Sequence, residues 1–485
     1  MAETLRDKTV KGVGWSFADS ILGQGVSFVV SLVLARLLSP DEYGLIGIIT
    51  IFVTVFNSIV DSGFSNALIR NNKADDKDYN TAFITNLTLS VVLFFILYIS
   101  APFIAQFFRR EELVSLTRVM GVVVIINALT LIQNTILTKR IDFKTKTKAS
   151  LISGILSGAI GITMALMGFG VWSLVAQTIS RQVINTVCLW IYNKWYPKLQ
   201  FCWQSFKAMW GFGWKILVSG LINTIWNELY QVVIGRWYSP ATLGQYTRAR
   251  QFASIFSSNI TSVVQRVSYP TLSIIQDEKE RLRNAYRKVI KVTMFVTVVI
   301  MFSLGAVAKP LIFCLLGPQW DEASAYLPLI CVTLSLFPLH AINLNMLQVQ
   351  GRSDLYLKLE IVKKIIAIFP ILLGIFVSIY WMLIGSILSG IISFFLNSYY
   401  SGKLINYSSF DQIRDVAPFY AIGIIVGISV YFFRYLPLPD VVVLAIQVAV
   451  GAVVLLTICK VRHIPEYEEV KGMAMQYVRK MRERR

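Results

Sequence analysis

Histidine is almost absent from this 485-residue chain, which holds only His340 and His463. That excludes a histidine-rich metal centre. Cysteine is scarce as well. Cys188, Cys202, Cys314, Cys331 and Cys459 are odd in number and form no Cys-x-x-Cys pair. Most lie in or beside apolar runs, where they read as small hydrophobes and not as a disulfide framework. Charge is thin, at 15% of residues against about 25% in a soluble domain. No polar linker divides the chain, although a soluble protein of this length would split into domains. An ordinary cytosolic enzyme, a disulfide-stapled secreted scaffold and a disordered protein are all excluded. Catalytic signatures are missing too: there is no G-x-x-x-x-G-K-[ST], no H-E-x-x-H and no G-x-S-x-G.

What is present is hydrophobic sequence. Apolar residues make up 55% of the chain, and mean hydropathy is +0.61. Apolar runs of roughly twenty residues recur from residue 12 to residue 459. They predict an all-α polytopic membrane protein with fourteen spans: 12–38, 44–69, 81–106, 113–138, 149–168, 171–193, 208–237, 244–270, 290–312, 324–350, 362–380, 382–401, 416–434 and 438–459. Each is long enough to cross about 30 Å of hydrocarbon at about 1.5 Å per residue. The first run is too long for the h-region of a signal peptide and has no A-x-A site.

The basic residues orient the spans. Net charge is +19, but the cations lie between apolar runs and not on one soluble face, so nucleic acid is not the expected partner. With the N-terminus inside, the inner segments hold 34 of the 46 Lys and Arg, while the outer loops hold only Arg109, Arg110 and Arg434. This bias predicts that both termini are cytoplasmic. The basic tail, residues 460–485, is expected to lie on the anionic inner leaflet.

The two halves resemble each other at an offset near 200. Val33, Arg36, Ser39, Pro40 and Gly44 match Val233, Arg236, Ser239, Pro240 and Gly244. Phe52, Phe56 and Ser58 match Phe252, Phe256 and Ser258, and Gly12, Gly14 and Trp15 match Gly211, Gly213 and Trp214. The expected organisation is an N-tail (1–11), an N-lobe of six spans (12–207), a C-lobe of six (208–401), two further spans (402–459) and the C-tail. Six is even, so the repeats run parallel about an axis along the membrane normal. Two such lobes can enclose a cavity that opens to either side by rocking.

A charge in hydrocarbon costs at least about 2.5–3.5 kcal/mol, so an intramembrane charge faces a partner or a wet cavity. Lys215, Arg248, Arg250, Arg266, Arg181 and Arg118 are the candidate substrate-binding cations. Asp19, Asp61 and Glu228 are candidates for ion pairing or for carrying a coupling proton, and His340 is a weaker one. Arg36 and Arg236, beside Ser-Pro turns, read as snorkelling or capping residues. Arg248 and Arg250 are two apart and cannot face the same way. Cations outnumber acids, so a wet seam lined by these groups favours an anionic substrate. Gly154-x-x-x-Gly158 and Gly423-x-x-x-Gly427 read as sites of close helix packing. Without a P-loop, energy is expected from an ion gradient, with H+ or Na+ as candidates, from the membrane potential or from the substrate's own concentration difference. No cofactor is expected.

Several ordered segments carry a family resemblance. They include Leu37-Leu38-Ser39-Pro40-Asp41-Glu42-Tyr43-Gly44, Asp61-Ser62-Gly63-Phe64-Ser65-Asn66-Ala67-Leu68-Ile69 and Lys139-Arg140-Ile141-Asp142-Phe143-Lys144. Gly168-Phe169-Gly170-Val171-Trp172, Leu243-Gly244-Gln245-Tyr246, Tyr269-Pro270 and Leu316-Gly317-Pro318-Gln319-Trp320 extend the match. The chain resembles the Wzx polysaccharide flippases, in their WzxC/TuaB-like branch, of the multidrug/oligosaccharidyl-lipid/polysaccharide exporter superfamily. The resemblance implies two six-helix bundles in a V, placed in the bacterial inner membrane. It also implies a lipid-linked substrate, an undecaprenyl-pyrophosphate-linked oligosaccharide moved from the inner to the outer leaflet, with glycosyltransferases and a polysaccharide polymerase as partners. A cation-coupled multidrug exporter of the same superfamily is the alternative. It would use buried carboxylates to bind cationic drugs. A membrane glycosyltransferase or polymerase is the third reading, but the outer loops are too short for a catalytic domain.

Overall fold

The computed structural model describes residues 23–71 and 73–482. Asp19 lies outside the described residues. Among them every regular element is helical. The helices are α1 (Gly23–Leu37), α2 (Pro40–Asp61), α3 (Phe64–Arg70), α4 (Asp76–Phe108), α5 (Leu113–Met120), α6 (Val122–Lys139), α7 (Phe143–Leu166), α8 (Val171–Asn193), α9 (Trp203–Trp237) and α10 (Pro240–Ile274). They continue with α11 (Lys279–Ala306), α12 (Ala308–Leu315), α13 (Asp321–Ser335), α14 (Phe337–Val349), α15 (Ser353–Ile366), α16 (Ile368–Phe376), α17 (Ile379–Ile405), α18 (Ser409–Tyr431), α19 (Asp440–Val461) and α20 (Pro465–Arg482).

Local chemistry sets the ends of these helices. Ser39 and Glu42 form a capping box ahead of Pro40, whose missing N–H costs nothing in the first turn. Asp75 with Asp78 and Ser408 with Asp411 do the same for α4 and α18.

Nine helical stretches of the described chain are long and apolar enough to cross a membrane: 40–70, 76–108, 113–139, 143–166, 279–306, 318–349, 379–405, 409–435 and 440–461. Each matches one predicted span. The other five predicted spans overlap α1, α8, α9, α10 and the α15–α16 pair, which do not show as long apolar spans, and residues 12–22 of the first lie outside the described residues. Those at 171–193, 208–237 and 244–270 carry Arg181, Lys215, Glu228, Arg248, Arg250 and Arg266 together with Asn, Gln and Ser, and so are less apolar.

The chain divides into two compact units after Gly244. In the first, α7 packs along α8, α4 along α6, and α9 along α2, α3 and α4. Phe64, Leu68, Phe83, Ile132, Ile136 and Met209 form one core there. Helix α9 comes very close to the α2–α3 turn. A Cβ on Gly213 would lie 2.6 Å from the Ser62 carbonyl oxygen, and one on Gly63 (φ 71°) 2.6 Å from the Gly213 oxygen. The two Ser-Pro helix starts meet in this unit too: a Cβ on Gly44 would overlap the Pro240 carbonyl, and one on Gly244 the Pro40 carbonyl.

In the second unit α11 packs along α18 and α13, and α16 along α17. Leu282, Tyr286, Ile290 and Met294 of α11 lie in its core with Phe419, Ile422 and Val426 of α18. The acidic N-terminal end of α20 docks on α11 through Lys291–Glu466 (2.5 Å) and Lys288–Glu469 (2.8 Å).

Candidate functional site

Helix α10 carries three of the candidate cations on a strongly two-sided surface. Tyr246, Ala249, Phe252, Ala253, Ser257, Thr261, Ser268 and Leu272 are buried. Ser258, Asn259, Ser262 and Arg266 are exposed. Arg248 is half-buried and donates to Gln251 Oε1 at 2.6 Å. Arg248 and Arg266 are five turns apart and therefore share a side, with Gln251, Ile255, Asn259 and Ser262 between them. The result is a mainly polar row about 27 Å long, broken by half-buried Ile255 and flanked by exposed Phe256, Val263 and Val267. Arg250 is half-buried and projects from a different side, as its spacing from Arg248 requires.

In the first unit, α9 presents Lys215, Ser219, Asn223 and Asn227 at four-residue spacing, so they form one continuous ridge, and all four are exposed. Glu228 is half-buried and accepts a hydrogen bond from Gln231. Asp61 accepts the Ser65 hydroxyl at 2.6 Å. Arg118 packs over the Tyr98 ring, 4.5 Å from its centroid, and its buried Nε has no hydrogen-bond partner among the described residues. Arg181 is half-buried on α8. In the second unit, His340 Nδ1 lies 3.4 Å from Asn397 Nδ2. Of the described candidates, Arg248 and Arg266 share one side of α10, Arg250 lies on another side of it, Lys215 and Glu228 are on α9, and Arg118, Arg181 and Asp61 are on other helices of the first unit.

Two polar assemblies escape a search limited to ionisable residues. Between α6 and α8 runs a seam of Asn127–Gln182 (3.2 Å), Thr130–Thr186 (2.5 Å) and Gln133–Asn193 (2.6 Å), closed by Arg140 donating to Asn193 (3.2 Å). The signal for it was the three-residue spacing of Asn127, Thr130 and Gln133 within an apolar span. In the second unit, buried Asn343 Oδ1 accepts from Tyr286 (3.0 Å), Ser401 (2.5 Å) and Gln412 (3.2 Å). Beside it Arg287 grips Asp415 through Nε (2.5 Å) and one Nη (2.6 Å), and Tyr407 donates to the same carboxylate at 2.7 Å. Both assemblies satisfy their buried polar groups and so fix helix register. Among the described residues no group of three His, Cys, Asp or Glu could hold a metal ion.

A family model described as "Polysaccharide biosynthesis protein" matches residues 33–325, well over half of the chain. The chain belongs to this family. The matched region contains every candidate cation and both described candidate carboxylates. Among curated relatives, the succinoglycan biosynthesis transport protein ExoT of Rhizobium meliloti (strain 1021) is 29% identical over 69% of this chain and 68% of its own length. The teichuronic acid biosynthesis protein TuaB of Bacillus subtilis (strain 168) is 30% identical over 62% of this chain and 63% of its own. The lipopolysaccharide biosynthesis protein WzxC of Escherichia coli (strain K12) is 22% identical over 76% of each. Among solved structures, the lipid II flippase MurJ in an inward closed conformation aligns with a TM-score of 0.74 at 15% identity, covering 94% of this chain and 99% of that one. An inward-facing multidrug resistance MATE family transporter of the MOP superfamily aligns with a TM-score of 0.59 at 17% identity, covering 80% and 99%. At these identities the two structures establish the fold alone, a multi-pass bundle of helices. The chain is thus a multi-pass helical membrane protein of a polysaccharide biosynthesis family.

Proposed function

We propose that the chain is a flippase that carries an undecaprenyl-pyrophosphate-linked oligosaccharide from the inner to the outer leaflet of a bacterial inner membrane by alternating access. Both termini are cytoplasmic in this reading, and the lobes are residues 12–207 and 208–401. The observation that carries it is the cation-bearing, mainly polar row of α10. A row of that length is costly against acyl chains and favourable against water and an anionic headgroup. Lys215, Arg248, Arg250, Arg266, Arg181 and Arg118 supply the positive lining for the pyrophosphate, while the polyprenyl chain stays in lipid. Asp61 and Glu228 tune that lining by pairing or carry the coupling proton. The family membership and the names of the relatives support a saccharide substrate, and the excess of cations over acids disfavours the drug-exporter alternative.

The test is Arg250→Ala and Arg266→Ala in the host. A lost charge-assisted contact to phosphate is worth about 1.5–3 kcal/mol, so surface polymer should fall about tenfold or more with the protein still in the membrane. A deletion strain should accumulate lipid-linked repeat units on the inner leaflet. Normal polymer from both variants would overturn the cationic path, and a deletion strain with normal polymer would overturn the flippase reading itself.

A further inference from the structure

The C-terminal end of α10 carries its cation-bearing row into a pocket. Ser273 lies two turns beyond Arg266 and within about 20° of it around the helix, and Tyr269 lies about 60° to one side. Gln276 and Asp277 follow in the turn that ends the helix. Gln348, Gln350 and Gly351, at the end of α14, supply the opposite wall. The pocket they enclose holds about 420 Å³. Small-molecule sites commonly run to about 300–1,000 Å³.

Both walls stand on one core. Leu272 and Ile275 alternate with the pocket residues of α10 and are buried with Met346 and Val349 of α14. The Gln350 side chain donates to the Gln276 carbonyl oxygen at 3.2 Å and ties the two helix ends together. Gly351 turns the chain out of α14 at φ 68°, a conformation that glycine adopts without strain. The pocket is therefore formed before any ligand arrives.

Its polar side chains are not spent on one another. Among the described residues, the Tyr269 hydroxyl, the Gln276 and Gln348 amides and the Asp277 carboxylate have no hydrogen-bond partner, and all four side chains are exposed. Two amides and a hydroxyl that both donate and accept, with a carboxylate that only accepts, suit a ring bearing adjacent hydroxyls. Tyr269 adds an aromatic ring, which suits the weakly positive C–H face of a pyranose. The lining has a carboxylate and no cation, so it disfavours phosphate and acidic sugars alike.

Charge thus divides the row. Arg266 suits an anion, and the pocket, about 10 Å further along the axis, suits a neutral sugar. In a pyrophosphate-linked oligosaccharide the sugars follow the phosphates directly. Depth agrees with this order. Tyr269 lies about 44 Å along α10 from Pro240, or about 41 Å at a common tilt of about 20°. The hydrocarbon is only about 30 Å thick. With Pro240 at the outer interface, the pocket lies in the inner headgroup layer, clear of the acyl chains.

We propose that the pocket between the ends of α10 and α14 is a docking site for a neutral sugar ring, which receives the first sugars of the headgroup at the inner face while Arg266 holds the pyrophosphate. The site rests on the flippase reading and its orientation. Docking there changes no covalent bond.

Saturation-transfer NMR tests it, on the full chain in lipid nanodiscs with the repeat-unit oligosaccharide cut from the host's own surface polymer. Asp277→Ala and Gln348→Ala should each weaken binding about 2- to 10-fold, the loss expected for one hydrogen bond. Both side chains are exposed, so the melting temperature should hold. Inorganic pyrophosphate is the second probe. Its binding should be unchanged in both pocket variants and weakened in Arg266→Ala. Oligosaccharide binding equal to wild type in both pocket variants would overturn the proposal. Pyrophosphate binding lost in either of them would mark an anion site and overturn it too. Polymer assays separate this failure from that of the underlying reading. Pocket variants with normal polymer, beside an Arg266→Ala variant without it, would sink the docking pocket alone. A deletion strain with normal polymer would sink the reading beneath it.

Discussion

At the residue scale, Tyr407 shows how an apolar chain holds a polar group in register. It sits between α17 and α18, is buried, and donates a hydrogen bond to Asp415, which Arg287 also holds. Burial, and then the bond to the carboxylate, push the Tyr407 hydroxyl well above its ordinary range. An ordinary tyrosine loses its proton near pH 10. Above that pH the unfolded chain gives up this proton while the folded chain keeps it. The stabilisation is therefore fully present below about pH 10 and is lost as pH rises, by up to about 1.4 kcal/mol per pH unit. Thermal unfolding in detergent should be flat from pH 7 to 9 and fall steeply toward pH 11, and Tyr407→Phe should show a shallower fall. Parallel curves for the two proteins would mean that this hydroxyl does not titrate with unfolding.

At the scale of elements, glycine decides where α9 can sit. Gly213 admits the Ser62 carbonyl so closely that any side chain must push the helix away. Overpacking of this kind costs typically 1–3 kcal/mol, so Gly213→Ala should lower the melting temperature of the purified protein, while Gly211→Ala, in open space, should not. Equal melting temperatures for the two variants would show that the contact is slack. The sequence marked this position through the match of Gly211 and Gly213 to Gly12 and Gly14, but not its partner. The offset assigns α9 to the second repeat, and α9 packs on α2, α3 and α4, neighbours that similarity along a chain does not reveal. Long apolar spans were legible because hydropathy alone defines them. The start of α11 was not. Residues 279–289 are rich in Lys, Arg and Glu and read as a loop, yet Leu282, Tyr286 and Ile290 recur every four residues and form a buried helical face. The seam between α6 and α8 was hidden for a related reason: Asn, Gln and Thr add no charge, and their period shows only when polar residues are counted along with ionisable ones.

At the scale of the whole molecule, one asymmetry sets the expected orientation of the chain. Thirty-four of 46 Lys and Arg fall in the segments assigned to one side, and no arrangement of short loops inserts that much positive charge outward readily. The structure offers clean sites to test it. Phe169 is exposed in the turn between α7 and α8, and Arg352 is exposed between α14 and α15. In a background lacking the five native cysteines, Phe169→Cys should react with a membrane-impermeant maleimide in intact cells, and Arg352→Cys only after the membrane is opened. The surface polymer itself is a control, since a functional background must still make it. Reaction of Arg352→Cys in sealed cells would reverse the assigned orientation, and with it the leaflet from which the proposed flippase takes its substrate.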